Sequence, residues 1–388
     1  MKILFVHNNY GSNNSGEEHA SQGLADLLIK NGHTVDWYRK SSDIINESLK
    51  MKVAAFFLGI YNPKAVRELR AKINEFNPDI VQIQNLYPFI SPAIINALKK
   101  LNMPIVMRCP NYRLFCPTGL HLDRQGTVCE KCLSGLREFN CVAKNCENNW
   151  FKSFGYALRN LVARKYWGIT KRVDSYIVQT EFQKQKFIKN GIVADKLFVV
   201  PGLTPNISKD LKQTDSRAVS FIGRVSEEKG IREFIDAAKL LPEIDFNVIG
   251  SYSNEYELLK TSSPSNVDWT GFIKGEALDQ LFSESRIVVV PGKWYEGFPN
   301  VITRAMKHGK PVITSDLGAM ASIIDHKKNG VLVPPGDSLA MAKAINDLYK
   351  DKSLSDTYGI EAQKKAEQFY TEETVYQSLL EVYKYVRR

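Results

Sequence analysis

The sequence holds no apolar run of the ~18 residues that a membrane-spanning helix needs, no short repeat and no low-complexity tract. Membrane-spanning, fibrous and disordered classes are thereby excluded. Its first residues, Met1 to His7, are too few for a secretory signal and lack a cleavage site. They read as a first strand, and the expected location is cytoplasmic. Two nucleotide-binding motifs are missing as well. Gly11 and Gly16 supply the glycines of a phosphate loop, but Glu17 and Glu18 follow where Lys and Ser or Thr are required. Two carboxylates there repel phosphate, which disfavours ATP use of the kinase type. No G-x-G-x-x-G follows the first strand, which disfavours NAD binding. No stretch matches a nucleic-acid-binding module.

What is present is ordinary for a globular chain of 388 residues, 44% hydrophobic and 24% charged. At ~100–200 residues per domain, two domains are expected. Fifty-two Lys and Arg residues against 42 Asp and Glu give a net charge of +10. That balance favours an anionic partner, with lipid or phosphate ranked above DNA or RNA. A basic solvated surface is the competing explanation. The six cysteines of a cytoplasmic protein are expected as thiols, metal ligands or catalytic groups rather than disulfides.

Strands and helices alternate almost throughout. Strands are predicted over 2–7, 34–38, 79–84, 105–108, 175–179 and 197–200. A helix over 17–31 carries Ala20, Leu24, Leu27 and Leu28 on one face. Ser15 with Glu18 forms its capping box, and Gly32 suits its stop. Thr180 caps another helix. A Pro/Gly-punctuated stretch, Pro201 to Asn206, reads as a hinge. The second half repeats the pattern, with strands over 218–222, 246–249, 287–290, 312–314 and 331–333. Its helix over 231–241 places Ile231, Phe234, Ile235, Ala238 and Leu241 on one stripe. The fold class is α/β: two Rossmann-like domains with parallel sheets, facing across a cleft.

Two loops in the second half carry the chemistry. In Ile222-Gly223-Arg224-Val225-Ser226-Glu227-Glu228-Lys229-Gly230, a buried strand ends and a helix begins. Arg224 and Lys229 bracket the connection and can hold a diphosphate as its charge grows on departure. A cation near a helix N-terminus opposes the helix dipole, so the placement asks for an anion. In Pro291-Gly292-Lys293-Trp294-Tyr295-Glu296-Gly297-Phe298-Pro299-Asn300-Val301, Pro299 opens a helix and Gly297 permits a tight turn. Glu296 can accept hydrogen bonds from sugar hydroxyls while helix-start amides hold phosphate.

Together these segments resemble the retaining glycosyltransferase family 4, of the GT-B fold. The resemblance runs over nearly the whole chain. It includes the loop before Gly16-Glu17, the Gly223-Arg224…Lys229-Gly230 loop, Glu296-Gly297-Phe298-Pro299 and Pro334-Pro335-Gly336-Asp337. It implies domains at 1–203 plus a returning helix at 371–388, and at 204–370. It implies donor contacts from Gly16, Arg224, Lys229, Glu296, Gly297 and the segment Phe298, Pro299, Asn300 and Val301. Phe272 and Ile273 would line the base. Arg224, Lys229 and Glu296 would be the catalytic residues, and transfer would need neither a protein nucleophile nor a metal. Gln84, Asn85, Asn111 and Tyr112 would lie on the acceptor side. The partners implied are a UDP- or GDP-sugar and a glycan or lipid-linked acceptor, with no nucleic acid.

Three positions depart from the family. Arg304 replaces a Glu that contacts the donor ribose, and can pair instead with phosphate or with Glu296. Pro110 stands where a His touches the donor sugar, and Gln84 stands for another His. They motivate an alternative function, a catalytically degenerate binding subunit that assists a partner enzyme. Separately, Cys129, Cys132, Cys141 and Cys146 have metal-ligand spacing in an insertion over 117–149. A structural zinc and a set of reduced thiols are the two readings. Segments 50–61 and 150–172 mix bases with large apolar residues. Either could lie on an anionic membrane surface, here the inner face, or could be core helices with basic outer faces.

Overall fold

The computed structural model describes residues 1–10, 16–43, 48–204, 207 and 217–387. The chain divides into two compact units. Unit 1 comprises residues 1–124, 129–203 and 375–388; unit 2 comprises residues 125–128 and 204–374.

Unit 1 runs β1 (Lys2–Asn9), α1 (Gly16–Lys30), β2 (Thr34–Ser41), α2 (Leu49–Ile60), α3 (Pro63–Phe76), β3 (Ile80–Asn85), α4 (Ile94–Lys100), β4 (Ile105–Arg108), α5 (Phe139–Ala143), α6 (Trp150–Lys165), β5 (Ser175–Val178), α7 (Glu181–Lys189) and β6 (Leu197–Val199). Its sheet has the order β2-β1-β3-β4-β5-β6, parallel throughout. Helices cover both faces, so the inner strands are buried along their whole length: all six residues of β3 and all four of β4. β2 lies at the sheet edge and tolerates Arg39 and Lys40. It therefore continues past the apolar stretch that marks it in the sequence. The Thr180 hydroxyl accepts from the Gln183 amide at 3.2 Å, capping α7 as predicted. Gly32 follows α1 with φ 80°. Ser15 of the expected capping box, and Pro205 and Asn206 of the expected hinge, lie outside the described residues.

Unit 2 runs β7 (Ala218–Ile222), α8 (Ile231–Lys239), β8 (Phe246–Ile249), α9 (Glu257–Thr261), β9 (Val267–Gly271), α10 (Glu276–Glu284), β10 (Ser285–Val290), α11 (Asn300–Lys307), β11 (Val312–Ser315), α12 (Gly318–Ile323), β12 (Gly330–Val333), α13 (Ser338–Lys350) and α14 (Lys352–Phe369). Its parallel sheet has the order β12-β11-β10-β7-β8-β9. The last helix, α15 (Glu372–Val386), returns to unit 1. Val375, Leu379, Val382 and Tyr383 join Ile3, Phe5, Leu28, Ile80 and Ile177 in its core. The Tyr383 hydroxyl donates to Gln82 Oε1 at 2.6 Å. Burying each of the three aliphatic side chains is worth ~1.5–3 kcal/mol. Both units are Rossmann-like. Among the described residues no helix is long and apolar enough to cross a membrane.

Candidate functional site

A parallel α/β sheet binds ligands at the carboxyl ends of its strands, where the strand order reverses. In unit 2 that point lies between β7 and β10, because β7 leads outward to β8 and β10 leads the other way to β11. The loops after these two strands are the two singled out by sequence. They touch backbone to backbone. A Cβ on Gly230, whose φ is 76°, would lie 2.0 Å from the Pro291 carbonyl oxygen. The Lys293 amide donates to the Glu228 carbonyl at 2.8 Å. The Lys293 ammonium bonds Glu227 at 2.9 Å and Glu233 at 2.8 Å.

Lys229 and Glu296 meet within this frame. Lys229 pairs with Glu296, and its ammonium lies 5.4 Å from the centre of the Trp294 ring. Trp294 Nε1 donates to Glu296 Oε1 at 3.3 Å. Glu296 is buried. Arg224 pairs with Glu228, and its side chain is 62% exposed, free to turn toward a ligand. Pro299, the residue preceding Asn300 rather than the first helical residue, offers no side-chain cap to the N-terminus of α11. Phe298 packs edge-on against Tyr370, ring centres 5.8 Å apart. Phe272 follows β9 and stands 53% exposed, a large apolar ring open to stacking, while Ile273 packs into the core. Gly16 opens α1 in unit 1, and among the described residues nothing lies near the position a Cβ would take.

Arg304 is committed elsewhere than to Glu296. Its Nη2 lies 2.7 Å and its Nε 2.9 Å from Asp279 Oδ1, which His308 Nε2 also meets at 3.0 Å. Burial pushes the His308 pKa down, against the bond to Asp279. The pairing of Arg304 with Glu296 allowed by sequence is therefore replaced by a bond to α10. Asp279 lies outside the segments that the sequence singles out, and Trp294, inside one of them, has no role assigned by the sequence.

In unit 1 the strand order reverses between β1 and β3. A recess at the carboxyl ends of β3 and β4 is lined by Glu17, Gln84, Asn85, Arg108, Pro110, Asn111 and Arg113 among others, with a volume of about 60 Å³. The Tyr10 hydroxyl donates to Glu17 Oε2 at 3.0 Å. Burial raises the Glu17 pKa, against Arg113, Arg108 and the Tyr10 bond; the Tyr10 pKa is pushed up to about 12 by burial and by Glu17. The expected acceptor-side residues separate here. Gln84 and Asn111 line the recess, although Asn111 Oδ1 is turned to the Arg113 amide at 3.0 Å. Asn85 lines it too, and ties down backbone, donating to the Asn8 carbonyl at 2.7 Å. Tyr112 is 0% exposed and packs against His121 and Phe187. It is a core side chain rather than an acceptor contact, because the turn after β4 directs it inward.

The cysteines gather only in part. All six are free. Cys132 is pushed up in pKa by burial and by Cys116, Cys146 and Cys129 nearby. The Cys141 thiol donates to Cys146, lowering it to about 7. Cys116 thus joins the four singled out by spacing. Among the described residues no three His, Cys, Asp or Glu side chains are arranged to hold a metal.

Comparison with known proteins agrees with this layout. The glycosyl transferases group 1 model matches residues 204–365, nearly all of unit 2. An uncharacterized 42.6 kDa protein in the cps region of Klebsiella pneumoniae is 26% identical over 354 residues, 83% of this chain and 87% of its own. The O-antigen chain mannosyltransferase C of Escherichia coli is 28% identical over 170 residues, 42% of this chain and 45% of its own. Anabaena HepE in complex with UDP superposes with a TM-score of 0.66 at 18% identity, over 98% of this chain and 99% of that one. The family match thus lies in unit 2, and the likeness over the whole chain is one of fold, two Rossmann-like units of the GT-B type.

Proposed function

We propose that the chain moves a sugar from a nucleotide-sugar donor to a glycan or lipid-linked acceptor in capsular or O-antigen-type polysaccharide biosynthesis. The observation that carries this is the pairing of Lys229 with Glu296 across two touching loops at the unit 2 switch point, with Arg224 exposed on the first of these loops. Cleavage of the sugar–phosphate bond leaves negative charge on the diphosphate, and two positioned cations lower the barrier by receiving it. Glu296 supplies the acceptor for sugar hydroxyls. Retention of anomeric configuration, without protein nucleophile or metal, follows from the family resemblance. UDP is the first nucleotide to try, since the similar Anabaena HepE holds it. Calorimetry with UDP- and GDP-sugars, then a donor-hydrolysis assay, tests the reading. Turnover that Arg224→Ala, Lys229→Ala and Glu296→Ala abolish supports it. Binding without turnover supports instead the assisting-subunit reading, which the Arg304–Asp279 bond and Pro110 in the recess favour.

Two accessory roles accompany this proposal. α2 and α6 pack together, and both expose large apolar groups beside lysines. Phe57, Tyr61, Trp150 and Phe154 are exposed, and Phe151 is 90% exposed. That face suits peripheral binding to anionic lipid on the inner membrane face. Flotation with phosphatidylglycerol vesicles at low salt checks it, and absence of binding refutes it. The cysteine loop is structural, either as a zinc site or as a set of reduced thiols. Elemental analysis of the purified protein decides between zinc and reduced thiols.

A further inference from the structure

The recess in unit 1 has an excess of unanswered hydrogen-bond donors. Among the described residues, Arg108 Nη1, Arg113 Nε and Gln84 Nε2 are buried there without partners. Arg108 and Gln84 are more than nine-tenths buried. A third guanidinium, that of Arg159, lies over the rings of Tyr87 and Tyr156 at 4.0 and 4.4 Å. Its Nε and Nη2 are also buried without partners, and it is near enough to Arg113 to repel it. Arg113 also bonds Tyr10, and two carboxylates answer the three cations: Glu17, engaged by Tyr10, beside Arg108 and Arg113, and Glu147 near Arg159. Buried polar groups are normally satisfied, and buried charges normally paired. A cluster of orphaned donors of one sign at the carboxyl ends of β3 and β4 suits an oxyanion. Guanidiniums favour flat or tetrahedral oxyanions because their donors match two oxygens at once. About 60 Å³ accommodates several water molecules, and so a phosphate or carboxylate group rather than a whole sugar ring.

We propose that this recess is an oxyanion subsite, formed by Arg108, Arg113 and Gln84, that takes a phosphate or carboxylate group borne by the acceptor. The inference rests on the transferase reading above and narrows it: the acceptor is acidic. A lipid-linked acceptor brings phosphate, and an acidic glycan brings carboxylate.

Calorimetry of the full chain, titrated with inorganic phosphate and separately with acetate, with and without saturating UDP, tests this. One equivalent of one anion binds whether or not UDP is present, and the anion that binds names the acidic group. Arg108→Gln and Arg113→Gln each weaken that binding by ~10-fold or more, while UDP affinity stays unchanged. Gln84→Leu, which keeps all three charges, weakens it by a smaller factor and serves if an Arg variant fails to fold. Loss of anion binding when UDP is added assigns the recess to the donor and overturns the proposal. So does failure of both anions to bind, and so does equal binding in all variants, which means an adventitious ion only. If UDP fails to bind the wild type, the donor reading falls, and the phosphate and acetate titrations still decide the subsite.

Discussion

Lys229 has two claims on its charge, and the conflict can be measured. Without a ligand its ammonium is held by Glu296, with side-chain exposures of 24% and 8%. A donor diphosphate must draw Lys229 off that carboxylate. Exchanging the two halves of the pair for neutral residues should therefore have opposite consequences for UDP. Lys229→Met removes a charge-assisted hydrogen bond worth ~1.5–3 kcal/mol, roughly a 10- to 100-fold loss of affinity. Glu296→Gln frees Lys229, so UDP binds as tightly or tighter. A complete UDP-sugar binds that variant more weakly, because the hydroxyl acceptor has gone. Stability gives a second axis. Removing one member of a buried pair costs ~3–5 kcal/mol when burial is complete. Lys229 is a quarter exposed, which reduces this to ~1–3 kcal/mol for Lys229→Met. The double variant recovers most of that loss, since no unpaired charge remains. Calorimetry with UDP and with UDP-sugar, and urea unfolding of the four proteins, complete the cycle. Equal weakening of UDP by Lys229→Met and Glu296→Gln would refute the reasoning.

Two further outcomes follow from particular contacts. Gly230→Ala should destabilise unit 2 by ~3 kcal/mol or more, since a left-handed φ costs ~1 kcal/mol and its Cβ would meet the Pro291 oxygen at 2.0 Å; a thermal midpoint within 2 °C of wild type, under ~1 kcal/mol, argues against it. His7 is buried with both ring nitrogens unpartnered, and burial, Arg39 and Arg108 lower its pKa from 6.5 to about 4. The unfolded chain takes up that proton first as pH falls. The stability contributed is thus complete above pH 6.5 and lost by pH 4, roughly 3 kcal/mol in all. The stability difference between His7→Phe and wild type should change by that amount over this window, and a constant difference would show that His7 is not the group responsible.

The sequence disclosed the parts of the fold that are apolar and continuous. β4, β7 and β8 are buried along most or all of their length, and their limits in the structure match the apolar runs. β9 escaped notice because it is an edge strand, Val-Asp-Trp-Thr-Gly, whose exposure alternates instead of vanishing. The donor loops were legible because their glycines, cations and carboxylate are close in sequence. The partner of Arg304 was not, because Asp279 comes from a different helix 25 positions earlier. The recess was hidden for the same reason. Glu17 counted against a phosphate loop in the sequence, and only the sheet order brings it beside Arg108 and Arg113. Tyr112 belonged to the right segment, but its direction was a matter of packing.

The returning helix α15 bears on how the protein is made. A ribosome delivers the chain from its N-terminus, and domains ordinarily fold in that order. Here the core of unit 1 lacks Val375, Leu379, Val382 and Tyr383 until unit 2 has been synthesised. The first unit to emerge is thus the last to close, and Gln82 waits for its hydrogen-bond partner Tyr383, which is made 301 positions later. A nascent chain stalled before α15 would hold a finished unit 2 beside an open apolar face on unit 1, the state most exposed to chaperones and proteases.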